Sequence, residues 1–130
     1  MNYLGDIGES FAEYVLITLG YTVFYTKSSH CPFDMVISDK DNKLYKVQVK
    51  TTFTPQTLKD RTKKYYRFSL KKGSCKVDYD KSDLDYYICI AVLPGKKIVY
   101  MIPFSEAVSN FKLTEEGINE KFNKYVIWKG

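Results

Sequence analysis

Seven consecutive residues, Tyr86-Tyr87-Ile88-Cys89-Ile90-Ala91-Val92, carry no charge. Side chains of a strand alternate between the two faces of its sheet, so a run that is apolar at every position reads as a strand buried on both. The turn Pro94-Gly95-Lys96-Lys97 then leads into Ile98-Val99-Tyr100-Met101-Ile102 as its hairpin partner. Upstream, Leu4, Ile7, Phe11, Val15, Leu16 and Leu19 recur at helical spacing and stop at Gly20, predicting a helix over 3–19. Strands are expected at 21–25, 33–38 and 44–52, the last two joined by the turn Asp39-Lys40-Asp41-Asn42, and another at 65–70. Pro103 opens a short helix over 104–108, and a second is expected over 114–122. With no repeat, low-complexity tract or linker, the expectation is one domain over residues 1–130. Its class is α/β (α+β), a mixed central sheet flanked by helices.

No apolar stretch approaches the roughly 18–20 residues that a membrane-spanning helix requires. The first residues lack a positive region followed by an apolar core, so no secretory signal is visible and a cytoplasmic protein without a membrane partner is expected. Cys31, Cys75 and Cys89 form no CxxC pair and have only His30 for company, which argues against a disulfide framework or a zinc site. The net charge of +5 is modest, but it is unevenly placed. Between Lys59 and Lys76 eight basic residues (Lys59, Arg61, Lys63, Lys64, Arg67, Lys71, Lys72, Lys76) face the single acid Asp60, a local charge of +7. Such a stretch attracts phosphates, and it is also a common way to solvate an exposed hairpin.

Polar residues intrude on the apolar strands at two places. Gln48 and Lys50, in Tyr45-Lys46-Val47-Gln48-Val49-Lys50, project from one face of a strand about 6–7 Å apart, with Val47 and Val49 on the other. Asp34 lies between Phe33 and Met35 in an apolar run, where a buried carboxylate needs a partner. Each also has a plainer reading, an edge-strand charge for Asp34 and a polar outer face for Gln48 and Lys50. Glu9 sits on the first helix beside Gly5, Gly8 and Ala12. Glycine inside a helix costs about 1 kcal/mol relative to alanine, so something must approach that face closely. Glu13, one turn later, competes with Glu9 for any role.

If these segments converge, they offer the parts for phosphodiester hydrolysis. Two carboxylates, Asp34 and Glu9, with the Val49 backbone carbonyl, suit a magnesium ion. Gln48 adds a neutral oxygen, and Lys50 could orient the attacking water or neutralise the phosphate.

Glu9, Asp34 and Gln48-Val49-Lys50 resemble the PD-(D/E)xK nuclease superfamily, with Gln48 in place of the usual acid. The segments Gly5-Asp6-Ile7-Gly8-Glu9, Gly20-Tyr21-Thr22-Val23, Phe33-Asp34-Met35-Val36-Ile37, Val47-Gln48-Val49-Lys50-Thr51, Asp83-Leu84-Asp85-Tyr86 and Val99-Tyr100-Met101-Ile102-Pro103 are similar to its homing endonucleases of group I introns and their archaeal, cyanobacterial and phage relatives. The resemblance implies a restriction-endonuclease-like fold and a site-specific endonuclease acting on double-stranded DNA with magnesium or manganese. It places Glu9, Asp34, Gln48 and Lys50 at the catalytic positions and Asp34, Glu9 and Val49 around the metal. It further implies a homodimer or homotetramer, since a subunit with one active site needs a second to cut both strands. The basic insertion near residues 53–80 then becomes a DNA-contacting β-ribbon. In it Lys59, Arg61, Lys63, Lys64, Arg67, Lys71 and Lys72 meet the duplex, with Arg61 and Arg67 able to read guanine. Asp83 and Asp85 match the pattern but read better as loop caps.

Three other readings stay open on sequence alone: a structure-selective nuclease of the Holliday junction resolvase type, a catalytically decayed DNA-binding module, and a protein-interaction domain with an incidental basic loop.

Overall fold

The doubly apolar run becomes the centre of a sheet, for the reason its composition gives: only a central strand is covered on both faces. The structure is a computed structural model that describes residues 3–28, 30–57, 62–70 and 84–130. Its elements are α1 (Tyr3–Thr18), β1 (Thr22–Tyr25), β2 (Met35–Ser38), β3 (Leu44–Thr52), β4 (Gln56–Thr57), β5 (Lys64–Ser69), β6 (Tyr86–Leu93), β7 (Lys96–Pro103), a 3-10 turn at Phe104–Glu106, β8 (Asn110–Thr114), a 3-10 segment at Glu120–Tyr125 and β9 (Val126–Lys129). A six-stranded sheet has the order β1-β2-β3-β6-β7-β9, and β4, β5 and β8 form a second, three-stranded sheet. The central pair, β3 and β6, is parallel, from Val47↔Tyr86 to Thr52↔Ala91. Its neighbours add antiparallel strands on either side, which makes the sheet mixed.

β6 divides the interior in two. Ile88 and Ile90 face α1 and join a core with Ala12, Val15, Leu16, Met35 and Val47. Tyr87, Cys89, Ala91 and Leu93 face the second sheet and join Tyr66, Phe68, Phe111 and Leu113. The α+β class expected from sequence is the one observed, but the second covering layer differs in kind. Among the described residues a small sheet, rather than another α-helix, lies over that face.

That difference originates at 110–122. Phe111 and Leu113 are buried while Asn110, Lys112 and Thr114 are exposed, the period-two pattern of a half-buried strand. The helix expected over 114–122 does not form, because Gly117 adopts a left-handed backbone (φ +82°) and turns the chain back. Thr114 fastens this turn through Gly117 N–H (2.9 Å) and Ile118 N–H (3.1 Å), and the Tyr100 hydroxyl donates to the Gly117 carbonyl (2.9 Å). The segment resumes as 3-10 structure only after Asn119, whose Oδ1 accepts from the backbone of Lys121 and Phe122. The turn at 104–108 is likewise a 3-10 piece limited to Phe104–Glu106.

The helix over 3–19 forms, but with a rotated face. Ala12, Val15 and Leu16 are buried, whereas Ile7 and Leu19 of the expected stripe are 47% and 44% exposed. Small residues set this orientation. Gly8 is buried against Thr51 of β3, so close that a β-carbon at position 8 would overlap the Thr51 side chain. Among the described residues no helix is long and apolar enough to cross a membrane.

Candidate active site and nucleic-acid interface

The candidate site is built where β2 stops and β3 goes on. β2 was expected from Phe33 but begins at Met35, which pairs with Val47. One residue earlier, Asp34 still donates its backbone N–H to the Val47 carbonyl (2.8 Å). Its side chain then takes the place of the missing strand: Asp34 Oδ2 accepts the Val49 N–H at 2.7 Å. The N–H and C=O of one strand residue leave by the same edge, so the Val49 carbonyl points into the same gap as the Asp34 carboxylate.

The helix reaches this gap from one side. Gly8 brings α1 down onto Thr51, and Glu9 follows it directly. Burial raises the Glu9 pKa above its ordinary value, with the Asp34 charge next in effect and Asp6 after it. Burial also raises that of Asp34, against the Val49 N–H and then the Lys50 charge, which favour the ionised form. Glu9 and Asp34 therefore act on each other as like charges. The Tyr25 hydroxyl donates to the Glu9 backbone carbonyl (3.4 Å), and burial, followed by the charges of Glu13 and Glu9, raises its pKa.

From the other face come Gln48 and Lys50. Their register partners are Tyr87 and Cys89, on the side covered by the second sheet, opposite the face where Val47 and Val49 pack. Gln48 Oε1 is shielded from solvent, and Lys50 is half-buried with its charge acting on both Asp34 and Cys89. Cys89 itself is fully buried, and burial pushes its thiol pKa up, which fits an inert core residue. Asp85 serves the backbone: its N–H donates to the Lys46 carbonyl (2.8 Å) and its carboxylate accepts the Lys46 N–H (2.8 Å). This is the capping role expected for it; Asp83 lies outside the described residues.

The sequence model of PD-(D/E)XK endonucleases matches residues 1–128. The chain belongs to the PD-(D/E)XK endonuclease family. The fold of this PD-(D/E)XK endonuclease is similar to the solved structure of a bacterial homing endonuclease, I-Ssp6803I, with a TM-score of 0.67 and 18% identity over 95% of this chain and 86% of that one. None of the curated protein sequences matches it.

Membership in this family implies DNA as substrate and a divalent cation as helper. The donor chemistry suits such an ion: the Asp34 carboxylate and the Val49 carbonyl share one gap, the Asp34 charge helps to raise the Glu9 pKa, and all three groups are hard oxygen donors. Among the described residues no three His, Cys, Asp or Glu side chains cluster.

The second sheet continues from β3 after a three-residue link and packs over the face that carries Gln48 and Lys50. Of the basic residues expected to meet DNA, Lys63, Lys64 and Arg67 are exposed on or beside β5. Lys59, Arg61, Lys71 and Lys72 lie outside the described residues. β8 adds Asn110 and Lys112, which sequence reasoning missed. Lys112 is the register partner of Arg67, and its Nζ stands 5.3 Å from the centroid of the Tyr65 ring. No acidic residue occurs in β4, β5 or β8. The alternation Asn110-Phe111-Lys112-Leu113-Thr114 was the available signal.

Proposed function

We propose that this endonuclease is a metal-dependent, site-specific enzyme that cuts both strands of duplex DNA, with Glu9, Asp34, Gln48, Lys50 and the Val49 carbonyl as its working groups. One observation carries the reading. The Asp34 carboxylate sits in the gap between β2 and β3, within electrostatic reach of Glu9 and of Lys50.

Hydrolysis forms a bond from water oxygen to phosphorus and breaks the opposite phosphorus–oxygen bond. A proton is lost from the water and one is gained by the leaving oxygen. Asp34, Glu9 and the Val49 carbonyl would hold the divalent cation, which when bound stabilises negative charge on the phosphate and lowers the pKa of water. Asp34 is itself fixed by the Val49 N–H, so its second oxygen is directed rather than free to rotate. The Lys50 ammonium lies beside Asp34, where it can donate to a phosphate oxygen or align the attacking water. Gln48 supplies an amide where the family usually has an acid. It therefore contributes orientation without a further negative charge, and this favours a site with weaker metal affinity.

Each chain provides one such set of groups, so cutting two strands calls for two copies, in a homodimer or a homotetramer. The exposed basic residues of the second sheet support the duplex as ligand.

Cleavage of long duplex DNA by the purified protein, with magnesium, with manganese and with neither, tests the reading. Discrete metal-dependent fragments are expected, absent for Asp34→Ala and Lys50→Ala although both variants remain folded. Undiminished cutting by either variant sinks the assignment.

A further inference from the structure

On the outer face of the second sheet one arginine differs from the other exposed cations. Arg67 donates from Nε (3.0 Å) and from Nη2 (2.7 Å) to the same oxygen, Oδ1 of Asn110. Asn110 lies opposite Ser69 on the neighbouring strand, a diagonal neighbour of Arg67 on the exposed face.

A guanidinium has two forks of parallel N–H groups, one along its side and one at its end. The Asn110 oxygen occupies the side fork. The end fork, one N–H on each terminal nitrogen, is left unused by Asn110. Two parallel donors match O6 and N7 of guanine in the major groove. An exposed arginine without an anchor samples many rotamers and loses that freedom on binding. Arg67 has a partner that fixes its plane beforehand. The strands β4, β5 and β8 themselves carry no carboxylate.

We propose that Asn110 is a positioning residue that presents the end fork of Arg67 to a single guanine in the target duplex. The inference rests on the reading of this chain as a DNA endonuclease and extends it to one base and to one residue from outside the basic segment. A phosphate contact would not need the guanidinium plane to be set by a neutral amide.

Selection of bound sequences from a randomised duplex library, without divalent metal so that strands stay intact, tests it on the full-length protein. Wild type should select a motif whose guanine preference at one position disappears in Arg67→Ala. Asn110→Ala should weaken the preference at that position about tenfold or more. Asn110→Asp keeps the acceptor oxygen but adds a carboxylate beside Arg67, so it should keep the relative preference at that position while weakening binding to every sequence. Lys112→Ala should weaken binding to all sequences alike and flatten the slope of log affinity against log salt by about 0.9. Asn110→Ala should leave that slope as it was, since no cation is removed. Full guanine preference in Asn110→Ala, a uniform loss in Arg67→Ala, or no base preference in wild type would overturn the inference. So would a lower melting temperature of Asn110→Ala with an unchanged motif, the mark of a cross-strand staple. Cleavage of the selected DNA with magnesium is measured alongside: a motif without cleavage counts against the nuclease reading alone, and cleavage without the expected motif against the inference alone.

Discussion

Asp34 shows how a carboxylate is kept in place against its own electrostatics. Burial raises its pKa, and only the Val49 N–H and Lys50 oppose that. Glu9 is raised as well, by burial first and then by Asp34. For both groups the folded pKa lies above the unfolded one, so the folded state binds these protons more tightly. Their ionisation costs stability at neutral pH, and that cost is relieved as pH falls through the folded pKa values. Asp39, held low chiefly by the Lys43 N–H, has the opposite sign but is common to wild type and variant. Asp34→Asn keeps an oxygen for Val49 and removes the buried charge. The metal-free variant should melt above wild type at pH 7, with the gap narrowing toward pH 5, while losing cleavage. Thermal melts at the two pH values check this, and a lower melting temperature at pH 7 would refute it. Magnesium should raise the melting point of wild type but not of this variant, as expected for a ligand bound only by the folded state.

At the scale of elements, the decisive contact is that of α1 with β3 through Gly8. Alanine at position 8 improves helix propensity by about 1 kcal/mol, but its β-carbon would overlap the Thr51 side chain, and overpacking of this kind costs about 1–3 kcal/mol. Gly8→Ala should therefore be destabilised overall and should lose cleavage more than stability, because lifting the helix takes Glu9 away from Asp34. Adding Thr51→Ala should recover part of both, measured by denaturant melts and cleavage rate; a fully active Gly8→Ala would show that the close approach does not matter. The elements also explain what could be read from sequence. Gln48 and Lys50 were legible because a period of two is local to one strand. The preference for Glu9 over Glu13 rests on Gly5, Gly8 and Ala12 beside it; what the sequence does not show is the residue that approaches that face, because Thr51 lies more than forty positions away from Gly8. The role of Asp34 was only half legible: the sequence located the acid, but its bond to Val49 arises because β2 stops one residue short of it. The Arg67–Asn110 pair spans 43 positions and follows from the β5–β8 register, which the helix expected over 114–122 obscured.

At the scale of the whole molecule, the proposed pairing of two copies can be tested by mixing. If each strand is cut by one chain, preincubating wild type with excess Asp34→Ala forms mixed assemblies with a single working site. Supercoiled plasmid carrying the target should then accumulate as nicked circle instead of linear DNA, read on a gel. Linear product without nicked intermediate at every ratio would rule out shared assemblies. The second sheet also has a consequence for how the chain is made. Glu9, Asp34 and Lys50 belong to neighbouring elements α1, β2 and β3, whereas the reading face is complete only when β8 arrives, with Asn110 sixty residues after Lys50. At synthesis rates of about 5–20 residues per second, those sixty residues take roughly 3–12 s. During that interval the ribosome holds a nascent chain in which the groups proposed to cut have been made and those proposed to choose a sequence have not. Because β3 pairs in parallel with β6, the strand carrying Gln48 and Lys50 gains its central neighbour only after the intervening segment has emerged.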